Sequence, residues 1–176
     1  MGVRNYLIEG VSGAGKTTVA EELERRGYHV IHGDRNFAYY GHPETGEPLA
    51  QPAIYDEAER IAWGYGRWIW PVEKVRAILG DHSHAVTFFC GGARNTHHFI
   101  DRFDRVFLLE ADGDTLERRL SRRPDDEFGG RPLERDLVRR ILVTRDGLPA
   151  NATSIDSGKP VVEVVDEILA LCGNPG

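Results

Sequence analysis

Cysteine is nearly absent: Cys90 and Cys172 are the only two among 176 residues. They stand far apart, with no C-x-x-C and no Cys/His ligand spacing, so neither a disulfide framework nor a zinc site of that kind is expected. Long apolar runs are missing as well. None approaches the ~20 residues that a membrane span needs. The N-terminus is neither basic-then-apolar nor followed by a small-residue cleavage site, so no leader is expected. Positive charge is also short, with 22 Lys+Arg against 28 Asp+Glu and a net charge of −6. No basic field draws in a nucleic-acid polymer. What remains is a reduced, cytoplasmic domain, monomeric or homodimeric, long enough for one core.

Short apolar runs alternate with helical patterns. Tyr6-Leu7-Ile8, Val30-Ile31, Ala85 to Cys90, Val106 to Leu109 and Ser154-Ile155 read as strands. Helical spacing predicts helices over 15–26, about 55–66, 71–79, 115–123, 133–145 and 160–172. That alternation implies a parallel sheet covered on both faces. Pro71, Pro132 and Pro160 suit first helical turns, where a missing N–H costs nothing, and Asp114 with Glu117 resembles a capping box. Gly41 to Pro52 and Pro124 to Pro132 lack periodicity, and loops of that length in an α/β domain are more often binding segments or lids than linkers.

One segment carries strong chemistry. Gly10-Val11-Ser12-Gly13-Ala14-Gly15-Lys16-Thr17 fits G-x-x-x-x-G-K-[ST] between a strand and a helix. In such a loop the glycines let successive backbone N–H groups turn inward on phosphate oxygens, and the helix offers its positive end. Lys16 is expected to reach the β- and γ-phosphates and Thr17 to ligate Mg²⁺, with Thr18 beside it. Bound nucleotide, ATP with Mg²⁺, follows as the expected cofactor pair.

The cradle GVSGAGKTT, the short chain and the later Arg-rich helix resemble the nucleoside-monophosphate-kinase-like group of P-loop kinases, which includes adenylate, shikimate and gluconate kinases. The resemblance spans about residues 4–172. It implies a three-layer α/β P-loop NTPase fold with a five-stranded parallel sheet in the order 2-3-1-4-5 and a lid. One domain over 1–172 is expected, with an acceptor-binding arm at about 37–70, a lid at about 124–132 and a tail at 173–176. That sheet order brings the second strand's end, His32-Gly33-Asp34-Arg35, opposite the cradle. There Asp34 would accept the acceptor hydroxyl's proton or hold Mg²⁺ through water; a plain loop-capping role stays open. Shikimate kinases carry two aspartates at this place, and His32 occupies the first.

The third strand ends in Cys90-Gly91-Gly92-Ala93-Arg94-Asn95. Paired glycines admit a ligand close to the backbone, and Arg94 would hold an acceptor phosphate or carboxylate; a turn with Asn95 as cap reads equally well. Cys90 reads as a buried small hydrophobe. His97 and His98 are adjacent and cannot share a helix face, so a paired metal role is not expected. Of 3 Trp, 6 Tyr and 7 Phe, eight fall between Phe37 and Trp70: Phe37, Tyr39, Tyr40, Tyr55, Trp63, Tyr65, Trp68 and Trp70. Rings beside a polar pocket favour a flat, stackable acceptor such as a nucleoside or nucleotide, whereas each Trp alone reads as core filling. Arg67 would pair with an acceptor anion or lie over a ring.

Leu116 to Arg123 resembles the L-x-x-R-L-x-x-R helix before the kinase lid. At ~100° per residue, Arg119 and Arg123 flank the Leu116/Leu120 stripe, while Arg118 and Arg122 face water. Arg131, after Gly129-Gly130, stands where a closing lid would bring a cation onto the transferring phosphoryl group. The acidic run 125–127 reads as a solvated loop face. Ser157 to Pro160, including Lys159, resembles the loop that lies against adenine. The expected activity is phosphoryl transfer from ATP to a nucleoside- or nucleotide-like small molecule, with catalytic roles for Lys16, Asp34, Arg119, Arg123 and Arg131. Arg35, Phe37, Arg67, Gly91, Gly92 and Arg94 are expected on the acceptor side. Two alternatives stand. One is a kinase of a sugar acid or polyol, since Gly46-Glu47-Pro48-Leu49 faintly resembles gluconate kinase. The other is an ATPase or switch, against which no apolar strand ends in Asp; Glu110 is the nearest substitute.

Overall fold

The computed structural model describes residues 3–54 and 56–173; Tyr55 and the tail beyond Gly173 lie outside the described residues. Strand β1 (Arg4–Glu9) runs into α1 (Lys16–Arg25), then β2 (His29–His32), a single-turn α2 (Gly33–Asn36) and β3 (Tyr39–Tyr40). Next come α3 (Glu57–Arg67), β4 (Trp68–Ile69), α4 (Val72–Leu79) and β5 (Val86–Cys90). The chain closes with β6 (Arg105–Glu110), α5 (Gly113–Leu120), α6 (Pro132–Thr144), β7 (Thr153–Asp156) and α7 (Val161–Cys172).

Five strands form one parallel sheet in the order β2-β5-β1-β6-β7. Counting only these strands, that is the 2-3-1-4-5 order expected. Side-chain alternation divides the sheet between two cores. Tyr6 and Ile8 of β1, Phe88 of β5 and Phe107 of β6 pack with Val19 and Leu23 of α1 and Val164, Val165 and Ile168 of α7. Leu7 and Phe89 face the other way, onto Trp70, Val75, Leu79, Phe99 and Phe103. Helices thus cover both faces, which is why the strands read as near-continuous apolar runs.

Two local expectations are corrected, and one feature was not expected at all. The cap of α5 is Asp112 rather than Asp114: Asp112 Oδ1 accepts from the Thr115 N–H at 2.8 Å and Oδ2 from the Thr115 hydroxyl at 2.7 Å. That helix also ends at Leu120, three residues early, with Pro124 close behind. Finally, the two-residue strands β3 and β4 pair antiparallel, Tyr39 opposite Ile69; runs this short carry no periodicity to read.

Phe88 is fully buried, stacked on Tyr6 at 5.3 Å and edge-on to Tyr28 at 5.5 Å. Phe88→Ala is expected to lower the unfolding free energy by about 3–5 kcal/mol in urea titration; a loss below about 1 kcal/mol would contradict this packing.

Candidate active site

The site grows from the end of β1. Gly13 and Gly15 take φ of 85° and 101°, backbone that L side chains rarely adopt. With these two turns the loop Gly10–Gly15 curls over the N-terminus of α1, whose first-turn N–H groups have no helical partner. Lys16 folds its ammonium back onto the carbonyl oxygens of Gly10 and of Val11, the latter at 3.1 Å. Burial lowers its affinity for the proton, and the Asp34 and Glu9 carboxylates oppose that loss.

A cleft of about 1100 Å³ opens from this loop across the ends of β1, β2 and β5. Gly10, Ser12, Gly13, Ala14, Gly15, Lys16, Thr17 and Thr18 line one side. Asp34, Gly92 and Arg94 line the acceptor side, and Arg119, Arg123, Arg131, Ser157 and Lys159 complete the wall.

Asp34 is held firmly. Its Oδ1 accepts from the indole N–H of Trp68 at 3.1 Å, that of Trp70 at 3.2 Å and the Gly92 amide at 3.3 Å. Gly91 cannot carry a side chain here, because a Cβ would lie 2.7 Å from the Trp70 ring and 2.9 Å from Asp34 Cγ. Gly91 therefore lies beneath Asp34 and outside the cleft lining. Trp70, fully buried, fills the core and orients the carboxylate at once.

Across the cleft, Arg119 donates to the Gly13 carbonyl at 3.2 Å and to the Ser157 carbonyl at 2.6 Å, tying the phosphate loop to the β7–α7 turn. Arg123 donates to Ser12 Oγ at 2.7 Å and to the Phe128 carbonyl at 2.7 Å, while Ser12 Oγ donates to that same carbonyl at 2.8 Å. Arg123 thus reaches the loop from beyond the end of α5, not from a helix face. Arg131 lies 3.4 Å from Glu57 at the foot of α3 and donates to the Asp125 carbonyl at 3.2 Å.

A family profile described as an AAA domain matches residues 7–139, three quarters of the chain. The chain belongs to the AAA domain family. Comparison of this AAA-domain chain with curated protein sequences gives no significant match. Its fold is similar to that of a shikimate kinase from Bacteroides thetaiotaomicron: 16% identity, TM-score 0.60, covering 97% of this chain and 99% of that one. A shikimate kinase from Acinetobacter baumannii, in complex with shikimate, gives 19% identity and TM-score 0.60 over 97% and 93% of the two chains. A sugar kinase from a Janibacter species gives 18% identity and TM-score 0.56 over 96% and 93%. The AAA-domain chain therefore has the P-loop kinase fold.

Several expected residues lie elsewhere. Arg35 is exposed on α2, outside the cleft lining. Phe37 packs edge-on against Trp70 at 5.4 Å, in the second core. Arg67 turns its guanidinium to the Gly66 carbonyl at 3.4 Å, and Pro160 caps α7 without lining the cleft. Of these, Phe37 is taken up by packing that no local pattern shows, whereas Arg35 and Pro160 are exposed and Arg67 bonds its own neighbour. Conversely, Arg60, Ile61, Gly64, Tyr65 and Trp68 line the cleft. The first four repeat at i, i+1, i+4 and i+5, one face of α3, a period that was available to find them.

Glu9 had given no signal. It is 1% exposed at the end of β1, its Oε1 3.3 Å from Arg94 Nη2. Arg94 also bonds the Tyr65 hydroxyl and lies 4.2 Å from that ring, and Tyr65 donates to the Asp146 carbonyl at 2.9 Å. Burial pushes the Glu9 carboxyl up to about 7 against the pull of Arg94 and Lys16. The unfolded carboxyl titrates near 4.5, so the protonated folded form is favoured, and its stabilisation, full below that value, is lost as pH climbs towards 7. Urea unfolding of wild type and Glu9→Gln at pH 5 and pH 8 should show the difference shifting in favour of Gln at the higher pH. An offset that is the same at both pH values would refute the raised carboxyl.

Proposed function

We propose that this chain is an ATP-dependent kinase that transfers the γ-phosphoryl group of ATP to a hydroxyl of a small molecule. The observation that carries this reading is Asp34, locked by two indoles and an amide at the far side of one continuous cleft from the phosphate loop. A carboxylate so placed orients an attacking hydroxyl and receives its proton. Positioning and charge supply the rest. Lys16 exchanges its carbonyl partners for phosphate oxygens, while Arg119, Arg123 and Arg131 present cations from three elements around the loop.

Thr17 and Asp34 would hold Mg²⁺. Both are oxygen donors lining the same cleft, the donor chemistry that a hard cation requires. When bound, the ion supplies positive charge against the phosphate oxygens. The segment 124–132 acts as the lid: Ser12 and Arg123 already join it to the phosphate loop through the Phe128 carbonyl. Residues 37–70 act as the acceptor arm, carrying the cleft face of α3.

For the acceptor we favour a compact polyol or hydroxy acid. The similar folds include a sugar kinase and shikimate kinases, and Arg60 and Arg94 offer cations to an acid group on this side of the cleft. A nucleoside-like acceptor is the second reading, favoured by the rings of Tyr40, Tyr65 and Trp68 in the lining. The other described rings of the arm are engaged elsewhere: Phe37 and Trp70 in the core, Tyr39 on the Gly46 carbonyl, Trp63 against Tyr40. A free-standing ATPase is disfavoured because Glu110 is bound to Arg145 and Ser154 and does not line the cleft.

Transfer from γ-labelled ATP into a fractionated metabolite extract tests the reading. Label in a hydroxy acid or polyol supports it, label in a nucleoside or nucleotide supports the second reading, and label in inorganic phosphate alone overturns both. Lys16→Ala should abolish transfer. Asp34→Asn should leave ATP affinity intact and lower kcat by roughly 10²–10⁴-fold; equal losses in ATP binding would remove the proton-accepting role and leave Asp34 with metal holding or structure alone.

A further inference from the structure

Behind the acceptor arm, outside the cleft lining, two rigid segments meet. The first is the loop after β3. Gly41 N–H donates to the Arg67 carbonyl, His42 N–H to the Glu47 carbonyl and Gly46 N–H to the His42 carbonyl, at 2.9, 2.9 and 2.7 Å. The Tyr39 hydroxyl closes the far side on the Gly46 carbonyl at 2.7 Å. These bonds fold residues 41–48 into a narrow hairpin whose tip carries Pro43 and Glu44. The second segment is the 3-10 turn Thr96–His98. It starts from Asn95, whose fully buried side chain accepts from the Trp70 N–H at 3.1 Å and donates to the Trp70 carbonyl at 2.8 Å.

Where they touch, one ligand-capable atom each of Glu44, His97 and His98 lies within 4.8 Å of the others. His97 Nε2 is 3.4 Å from Glu44 Oε1, close to the ~3.3 Å edge of a tetrahedron with ~2.0–2.1 Å metal bonds. The His97 and His98 rings approach to 4.1 Å between centroids, and the Pro43 carbonyl, 3.0 Å from His98 Nε2, steadies the second ring. Adjacency was expected to separate these two histidines. It does not, because the turn is not an α-helix and the loop tip reaches both rings.

We infer that Glu44, His97 and His98 form a binding site for one divalent transition-metal ion of the zinc class, clamping the arm's hairpin to the turn that follows Arg94. Two imidazoles and a carboxylate are borderline ligands that prefer Zn²⁺ to Mg²⁺. The side chains of His97 and Glu44 are 49% and 69% exposed, so water completes the coordination and the ion enters from solvent. Neither histidine nor Glu44 lines the cleft. The ion therefore stiffens the arm and takes no part in phosphoryl transfer.

Titration of tag-free, chelator-treated protein with Co²⁺, without nucleotide, tests the site. One Co²⁺ per chain is expected, with visible ligand-field bands of low coordination number that Zn²⁺ abolishes. His97→Ala and Glu44→Gln should each weaken Zn²⁺ binding by roughly tenfold or more, while far-UV circular dichroism and the melting curve in chelator stay unchanged. Absence of Co²⁺ bands and of Zn²⁺ binding in wild type overturns the inference. So does undiminished affinity in both variants, or affinity lost in His84→Ala and kept in His97→Ala, which would assign the ion to the stacked His29–His84 pair.

Discussion

Strand β1 is hydrogen-bonded in parallel on both edges, to β5 from Arg4 to Ile8 and to β6 from Tyr6 to Glu9. Leu7 and Ile8 are fully buried on opposite faces, so the strand can neither shift register nor rotate without exposing a core. Its end is therefore fixed in space, and the chain must leave it abruptly. Gly10 makes that exit possible: a Cβ there would meet Ala14 Cβ and the Leu109 carbonyl, each at 2.9 Å. The phosphate loop, the direction of α1 and the position of Lys16 all follow from this central strand. Because the chain leaves β1 towards β2 and leaves its neighbour β6 towards β7 on the opposite side, the crevice opens at its carboxyl end, where open α/β sheets hold ligands.

The same packing that stabilises the fold also arranges the chemistry. Trp68 and Trp70 belong to β4 and the residue after it, and both aim their indole N–H groups at one oxygen of Asp34. Phe99 stacks parallel to Trp70 at 6.1 Å and Phe37 meets it edge-on, so the carboxylate is oriented by the second core. Arg119 joins the phosphate loop to the β7–α7 turn, and Arg94 joins Glu9, Tyr65 and, through Tyr65, the chain at Asp146. Cationic side chains here are struts between segments remote in sequence, and those segments enclose the cleft. Glu9 shows the electrostatic consequence: burial, outweighing the pull of Arg94 and Lys16, makes it bind its proton far more tightly than an exposed glutamate.

Local rules located much of this and failed where geometry came from afar. The phosphate loop was legible because a fixed spacing of Gly, Lys and Thr answers directly to phosphate. Helical phase places Arg118 in water and turns Arg119 to the phosphate loop, as found, whereas Arg122 is exposed beyond the end of the helix. Arg123 reaches the site for another reason, since α5 stops at Leu120 and the chain itself turns towards Ser12. Phe37 precedes β3 and Arg67 is the last residue of α3, where no further helical turn separates a core-facing side chain from a cleft-facing one.

By itself, the sequence determined the alternation of strand and helix, the order in which they occur and the nucleotide cradle, because each depends on residues within about one turn or one strand. Tertiary structure decided which groups surround each carboxylate. Asp34 meets Trp68 and Trp70 from more than thirty positions away, Glu9 meets Arg94, and Glu44 meets His97 and His98. Such meetings depend on which strand lies beside which and how far a loop reaches, and no local pattern of side chains encodes either.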